Sequence, residues 1–229
     1  MNSFFQNFGD QFYKCFILKD RYKLILDGIG ITIKVSLLSV CIGIVIGFLI
    51  ALCNLSKAKP LNLIGKIYTD IIRGTPSVTQ LMIIYFIIFA TVPWEKWIIA
   101  SIAFGVNSGA YVSEIIRAGI LSVDVGQTEA GRSLGLNGSQ TMIYIIIPQA
   151  LKNILPALCN EFITLIKETA IVGYIGLMDI QKAGDFIKTA TYSPFMPLIG
   201  VAVIYFVLIK ILTILIGMLE KKMRKSEVR

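Results

Sequence analysis

Residues 24–55 read LILDGIGITIKVSLLSVCIGIVIGFLIALCNL, and only Asp27 and Lys34 among them carry a charge. A helix needs roughly 20 apolar residues to cross the hydrocarbon core of a bilayer, so this run is long enough for a tilted span. Its apolar residues are continuous and do not alternate at a period of two, which disfavours a closed β-barrel. The stretch therefore predicts a helical membrane protein.

A stripe of small residues runs along this first apolar stretch. Ser39, Gly43, Gly47 and Ala51 recur every four residues and so share one helix face. Small side chains at this spacing allow the backbone of a second helix to approach closely. We interpret the stripe as a packing surface and not as a binding motif.

Four more apolar runs follow, and the whole chain has the composition of a membrane protein. Hydrophobic residues make up 55% of the 229 residues, and the mean hydropathy is +0.76, which is more than a soluble domain needs. Pro76 is expected to kink or restart the helix before the second run. The fold class is an all-α membrane protein with five transmembrane helices, predicted at residues 24–55, 78–92, 97–120, 154–177 and 198–219.

The two chain ends are expected to differ from the spans between them. Phe4, Phe8, Phe12 and Phe16 repeat every four residues, which predicts an N-terminal interfacial helix lying in the membrane plane. The predicted organisation is an interfacial segment at residues 1–23, a transmembrane domain at residues 24–220 that contains a polar loop at 122–153, and a basic cytoplasmic tail at 221–229.

The distribution of basic residues predicts the orientation of the chain. Five spans place the termini on opposite sides, and with the C-terminus inside, the inner face collects twelve Lys and Arg against seven on the outer face. This favours an N-terminus outside and a C-terminus in the cytoplasm. The formal net charge is +8, but no aromatic-basic signature accompanies it, so nucleic acid is not expected as a partner.

Several functional classes are excluded by composition. The chain has no histidine, which rules out histidine-based triads and the zinc-protease motifs. The four cysteines, Cys15, Cys41, Cys53 and Cys159, have no paired spacing and are interpreted as small buried hydrophobes. We therefore expect no catalytic residues and no metal site, and the N-terminus does not have the pattern of a cleavable signal peptide.

The polar loop at residues 122–153 predicts two short helices. Asp124 is suited to cap a helix that begins near Gly126, and Gly135 is suited to end it. Asn137 then offers a turn and a second cap before residues 140–147. Two short helices joined by a glycine turn make a compact projection that suits a cleft in another protein.

The same loop carries a recognisable motif. Glu129-Ala130-Gly131, Gly135, Ile145 and Pro148 match the EAA loop of ATP-binding-cassette (ABC) importer permeases at its spacing, with Gly131 and Ile147 as the departures. Over roughly residues 24–220 the chain resembles the polar amino-acid ABC transporter permease family, the membrane subunits of binding-protein-dependent importers. The other matching segments are Ile72-Arg73-Gly74-Thr75-Pro76, Ala110-Tyr111-Val112-Ser113-Glu114-Ile115-Ile116-Arg117, Pro148-Gln149-Ala150, Asn160-Glu161-Phe162-Ile163 and Lys167-Glu168-Thr169.

This resemblance implies a multi-pass protein of a bacterial cell membrane that acts within a complex. The implied partners are a second permease subunit, with a homodimer favoured over a heterodimer, two ATPase subunits, an extracytoplasmic substrate-binding protein, membrane lipid and a polar amino acid substrate. The chain itself is expected to be no enzyme and to bind no cofactor. ATP and Mg would belong to the ATPase, since no G-x-x-x-x-G-K-[ST] loop is present. The implied ATPase-coupling contacts are Glu129, Ala130, Gly131, Gly135 and Leu136.

Polar residues inside spans mark the candidate substrate site, because such residues usually face protein or a water-filled cavity. An amino acid carries an ammonium and a carboxylate, and Glu161 is suited to hold a cationic group while amides and hydroxyls supply hydrogen bonds. The competing interpretation is that Glu161, Glu168, Lys167 and Arg117 form ion pairs that only pack the bundle. The candidate substrate-binding residues are Asn107, Ser108, Asn160, Glu161 and Thr164.

The main alternative function is a stand-alone secondary amino-acid transporter or channel. Such a protein usually contains internal repeats, and none is visible in this sequence. The identity of the transported amino acid stays open at this point, with basic amino acids, glutamine and cystine as the candidates.

Overall fold

The computed structural model of the protein describes residues 8–224, and this part of the chain is helical without β-strands. The segment before the first long helix includes a π turn at Tyr13–Ile17 and a 3₁₀ turn at Leu18–Asp20. Eight helices follow: α1 (Tyr22–Leu55), α2 (Lys59–Arg73), α3 (Ser77–Ile88), α4 (Lys96–Leu121), α5 (Val125–Ser133), α6 (Gly138–Ile175), α7 (Ile180–Thr191) and α8 (Phe195–Arg224).

Four of these helices, α1, α4, α6 and α8, are long and apolar enough to cross a membrane. Helices α2 and α3 reach that length only together, and they meet at an angle of 103°. The described chain therefore has four candidate spans, or five if the bent pair counts as one. The break at Gly74 to Pro76 lies where the sequence predicted it, but the helical part of the predicted 78–92 span ends at Ile88.

Helix α6 corrects one part of the prediction for the polar loop. We expected a short helix at 140–147 and a separate span at 154–177, whereas a single helical run extends over Gly138–Ile175. A π turn at Met142–Ile146 lies directly before Pro148, where a wider turn accommodates a residue that has no N–H to donate. Pro148 and Pro156 both lie within this one helix, and the second short helix of the loop is the first part of a span.

The small-residue stripe packs α1 against α4, as predicted. All four of its residues are buried, and the Ser39 hydroxyl donates to the carbonyl of Ser101 at 3.2 Å. A Cβ added to Gly47 would lie only 2.5 Å from Cγ1 of Val112, and one added to Gly43 would lie 2.9 Å from the Ser108 hydroxyl. The two backbones can approach this closely only because glycine occupies these positions.

At the opposite end of α1, a buried carboxylate joins three helices. Asp179 is fully buried and caps α7 by accepting hydrogen bonds from the backbone N–H groups of Gln181 and Lys182. Tyr205 of α8 donates its hydroxyl to the same carboxylate at 3.1 Å. Gly28 of α1 lies against this turn, since an added Cβ would come within 2.7 Å of the Asp179 backbone.

The N-terminal segment packs on this end of the molecule through part of its predicted aromatic face. Phe16 is buried beside Met196, whereas Phe8 and Phe12 are each 46% exposed. Phe4 lies outside the described residues, as do residues 225–229 of the basic tail. The interfacial role of residues 1–23 and the domain boundaries stay predictions.

Candidate functional site

The centre of the candidate site is a hydrogen bond between α4 and α6. Ser108 is fully buried, and its hydroxyl donates to the Glu161 carboxylate at 2.8 Å. Asn107, the preceding residue, is 4% exposed. The sequence had placed these residues on two different spans, and the structure brings them together. Among the described residues, Ser108 is the hydrogen-bond partner of the Glu161 side chain, so this carboxylate has no cation bonded to it.

A third segment enters this site through Gln80, which the sequence analysis missed. The Asn107 amide donates to the Gln80 side-chain oxygen at 2.9 Å. The Gln80 amide nitrogen in turn donates to the carbonyl of Ile72 at 2.7 Å and to the hydroxyl of Thr75 at 2.6 Å. Gln80 therefore ties the bend between α2 and α3 to the middle of α4. The available signal was a glutamine within an apolar run, because polar residues in spans usually have a function.

Two of the candidate substrate residues do not join this cluster. The Asn160 side chain is exposed. The Thr164 hydroxyl donates to the backbone carbonyl of Asn160 at 3.1 Å, one turn earlier in the same helix, and this is a common way for threonine to satisfy its hydroxyl inside a helix. A substrate role for either residue stays a prediction.

A charged cluster lies nearer the end of α4. Glu114 accepts two hydrogen bonds from the Arg117 guanidinium, at 3.1 and 2.8 Å. Arg73, at the end of α2, lies 3.7 Å from the same carboxylate and 5.5 Å from the centre of the Tyr111 ring. Arg117 is therefore bound to Glu114 and not to Glu161 or Glu168, which removes one of the ion pairs in the competing interpretation. The pairing of Arg73 with Glu114 therefore joins α2 to α4, in addition to the connection through Gln80.

Lys34, one of the two charged residues in the first apolar stretch, has a partner within the chain. Its ammonium lies 3.6 Å from the centre of the Trp97 ring, a cation–π contact between α1 and the first turn of α4. This contact accounts for the charge inside the first span.

The polar loop has the local geometry that its motif predicted. Asp124 accepts a hydrogen bond from the backbone N–H of Gly126 at 2.7 Å and caps α5. Gly135 ends this region with a φ of 84°, a left-handed conformation that favours glycine. Asn137 and Gln140 then form a reciprocal capping box, with both hydrogen bonds at 2.9 Å, which begins α6.

The five predicted coupling residues differ in exposure. Glu129, Ala130 and Gly135 are exposed and Leu136 is half-buried, but Gly131 is buried. A Cβ on Gly131 would lie 2.8 Å from side-chain carbons of Thr141 and Ile145. Gly131 therefore packs α5 onto α6 inside the loop, whereas Glu129, Ala130 and Gly135 lie on the loop surface. Leu134, which the sequence analysis did not select, is 80% exposed at the tip.

Comparisons with known proteins agree with this architecture. The family described as "Binding-protein-dependent transport system inner membrane component" matches residues 43–225. A Rickettsia bellii protein named as a glutamine transport system permease, GlnP, is 44% identical over 201 residues, which are 87% of this chain and 92% of GlnP. The arginine transport system permease protein ArtQ of Bacillus subtilis is 43% identical over 205 residues, 89% of this chain and 94% of ArtQ.

Solved structures show the same relationship. A chain in the crystal structure of an amino acid ABC transporter with histidines is 43% identical, with a TM-score of 0.83 over 90% of this chain and 96% of that one. The MetNI methionine ABC transporter, in an inward-facing conformation, shares the fold at 18% identity, with a TM-score of 0.72 over 88% of this chain and 96% of that one. The chain belongs to the family of binding-protein-dependent transport system inner membrane components, among the polar amino-acid ABC transporter permeases.

Proposed function

We propose that two copies of this permease form the membrane pathway of an ATP-driven importer, and that Glu161 selects an amino acid with a cationic group. The single observation that carries the substrate assignment is the hydrogen bond between Ser108 and Glu161. A carboxylate inside a bundle whose bonded partner is a neutral hydroxyl has no cation of the protein beside it and is able to pair with an incoming cation. Asn107, placed beside it by Gln80, would contribute a hydrogen-bonding amide.

The names of the relatives support a polar amino acid as the substrate. They do not agree on whether its side chain is charged, so in our proposal the residues of this site decide that point. ArtQ is named for arginine and GlnP for glutamine. The solved relative is described as an amino acid ABC transporter with histidines. Arginine brings a permanent side-chain cation and glutamine does not. In our proposal a basic amino acid is preferred because Glu161 has no cation bonded to it among the described residues.

The remaining parts of the proposal concern assembly and orientation. The N-terminus lies outside and the C-terminus in the cytoplasm, as the distribution of Lys and Arg favours. Two ATPase subunits bind the polar loop from the cytoplasm through Glu129, Ala130, Gly135 and Leu136, with Gly131 packing the loop internally. An extracytoplasmic binding protein delivers the substrate, and ATP and Mg are bound by the ATPase.

Uptake into proteoliposomes tests this function directly. The permease is co-purified with its ATPase, reconstituted, and supplied with labelled arginine, lysine, histidine, glutamine and cystine, together with the binding protein. We expect uptake only when ATP is present, and faster uptake of the basic amino acids. ATP-independent uptake by the permease alone would instead identify a secondary transporter or channel.

A further inference from the structure

Helix α2 crosses the flank of the bundle at the end that carries the polar loop. Near its start, the Asn62 amide donates to the carbonyl of Asn54, close to the end of α1, at 2.6 Å. At its other end, Arg73 pairs with Glu114, within two turns of the end of α4. The 103° bend turns α2 away from the direction of α3. The end of α2 reaches the level of the middle of α4, because Gln80 bonds both the Ile72 carbonyl and the Asn107 amide. The start of α2, beside Asn54, therefore lies at the loop end of the bundle, and the helix rises from there toward the middle of α4.

The surface of α2 divides into a buried side, an uncovered apolar side and a charged edge. The side that carries Gly65 and Thr69 is buried, and a Cβ on Gly65 would clash with the Asn54 side chain. The apolar side lies opposite the buried side and is uncovered. Its large side chains are 46–58% exposed. These side chains are Leu61, Leu63, Ile64, Ile67 and Ile71. The uncovered set is contiguous on a helix of 3.6 residues per turn.

The remaining edge of α2 is positively charged. Lys59 and Lys66 project there, and Lys57 precedes the helix; all three are exposed, and none has an ion-pair partner among residues 8–224. Asp70, the single acid of the helix, lies on the same edge, so the edge carries a net positive charge. The edge lies between the buried side and the apolar side. A helix with a buried side, a cationic edge and an uncovered apolar side has the design of a helix that lies in a membrane interface.

We propose that the first two turns of α2 lie in the cytoplasmic headgroup layer and that Lys57, Lys59 and Lys66 bind the phosphates of anionic phospholipids. The apolar side reaches the boundary of the acyl chains, where lipid covers it. The three unpaired ammonium groups then lie at the depth of the phosphates, and clustered basic residues are attracted to anionic lipid at this depth. The cytoplasmic location rests on the orientation in the proposed function, whereas the lipid binding does not.

A second copy of the chain is a poorer occupant of this surface. In a two-fold dimer the same surface of each copy meets its equivalent, so an interface centred on α2 would bring together six lysines and only two Asp70 carboxylates. The cores of protein interfaces are also depleted of lysine. Anionic lipid satisfies both the apolar side and the cationic edge.

The experiment measures lipid retention by the intact complex of permease and ATPase. The complex is extracted from membranes that contain equal amounts of phosphatidylcholine and phosphatidylglycerol, and the retained lipids are identified by native mass spectrometry. We expect the wild type to retain phosphatidylglycerol preferentially. The combined variant Lys57→Gln, Lys59→Gln and Lys66→Gln should lose this preference roughly tenfold, because three surface attractions are removed together.

The matched control removes the same charge from the other end of the bundle. Lys14→Gln, Lys19→Gln and Lys96→Gln replace three exposed lysines, and the preference should survive. Equal retention of phosphatidylglycerol by the wild type and the α2 variant would overturn the proposal. An intermolecular disulfide formed by Ile67→Cys between two permease copies would also overturn it, since the apolar side would then be a subunit interface. Neither readout requires transport, so a failure here is separate from a failure of the importer assignment.

Discussion

Glu161 is the residue whose environment most directly suggests how a substrate is chosen. Its partner is a neutral hydroxyl on a neighbouring helix, and the two arginines near the end of α4 are bound to Glu114 instead. The charge of Glu161 is thus separate from the charges that tie α2 to α4. In the proposed function, substrate selection and the attachment of α2 to α4 therefore depend on different charged residues of the same bundle.

Replacing Glu161 with glutamine should therefore affect substrates unequally. Glu161→Gln keeps the shape and can still accept the Ser108 hydrogen bond, but it loses the negative charge. We expect ATP-driven uptake of arginine to fall about tenfold or more relative to uptake of glutamine, since a charged hydrogen bond is worth about 1.5–3 kcal/mol. Competition uptake in proteoliposomes measures this ratio. Equal losses for both amino acids would show that Glu161 has a structural role only.

At the scale of single elements, the contact between α1 and α4 depends on the absence of side chains. The backbone carbonyl of Gly109 and the branched carbon of Val112 surround the Gly47 position at 2.9 and 2.6 Å from an added Cβ. Neither atom is the end of a flexible side chain. An added methyl group must push the two helices apart.

We expect Gly47→Ala to destabilise the protein by about 1–3 kcal/mol, the usual cost of overpacking. Gly30→Ala is the matched control, because it lies in the same helix with no atom within 4 Å of an added Cβ. Thermal unfolding in detergent compares the two variants with the wild type. Indistinguishable melting temperatures for the two variants would contradict the close contact between α1 and α4.

The polar loop supports a second prediction at this scale. Gly135 is exposed and left-handed, so Gly135→Glu adds a bulky acid to the surface that is proposed to face the ATPase. We expect membrane insertion to persist while ATP-driven uptake falls about tenfold or more relative to ATP hydrolysis. Gly135→Ala is the control, since it carries the same left-handed strain, about 1–2 kcal/mol, without bulk or charge. Full coupling in the glutamate variant would argue against a role for this loop.

The elements also show how far the sequence alone could lead. Long apolar runs, the small-residue stripe and the Asp124, Gly135 and Asn137 signals are local patterns, and the structure confirms them. The continuity of α6 was missed, because prolines and a glycine turn signal a break when tertiary contacts are unknown. Gln80 and the pairing of Arg73 with Glu114 were missed for a related reason. Contacts between residues far apart in sequence produce no periodic pattern of residues from which they could be predicted.

For the whole molecule, Asp179 joins α7 to α8 and lies against α1. Burial raises the pKa of this carboxyl, while its hydrogen bonds from the Lys182 and Gln181 backbones and from Tyr205 partly oppose the shift. The folded protein therefore holds the Asp179 proton more tightly than the unfolded chain does. The contribution to stability is fully present below the ordinary pKa of aspartate and is lost as the pH rises to the raised folded value.

Asp179→Asn isolates this effect, because asparagine stays neutral at every pH. We expect the melting temperature of the wild type to fall relative to that of Asp179→Asn as the pH rises through this window, and the difference to become constant above it. Thermal unfolding across a pH series in detergent provides the measurement. A difference that does not change with pH would mean that Asp179 has the same pKa in the folded and unfolded states.

Helix α6 has a mechanical consequence for the molecule as a whole. It contains 38 residues without a break, from the capping box beside the polar loop to Ile175, and is roughly 57 Å long. Glu161 is one of several points that attach α6 to α4, since the Asn153 amide also donates to the Ser122 hydroxyl at 2.9 Å and Ile154 packs against Gly119. Because these contacts lie on one continuous helix that begins at the polar loop, a displacement of the loop would be transmitted to the Ser108–Glu161 pair without passing through another element.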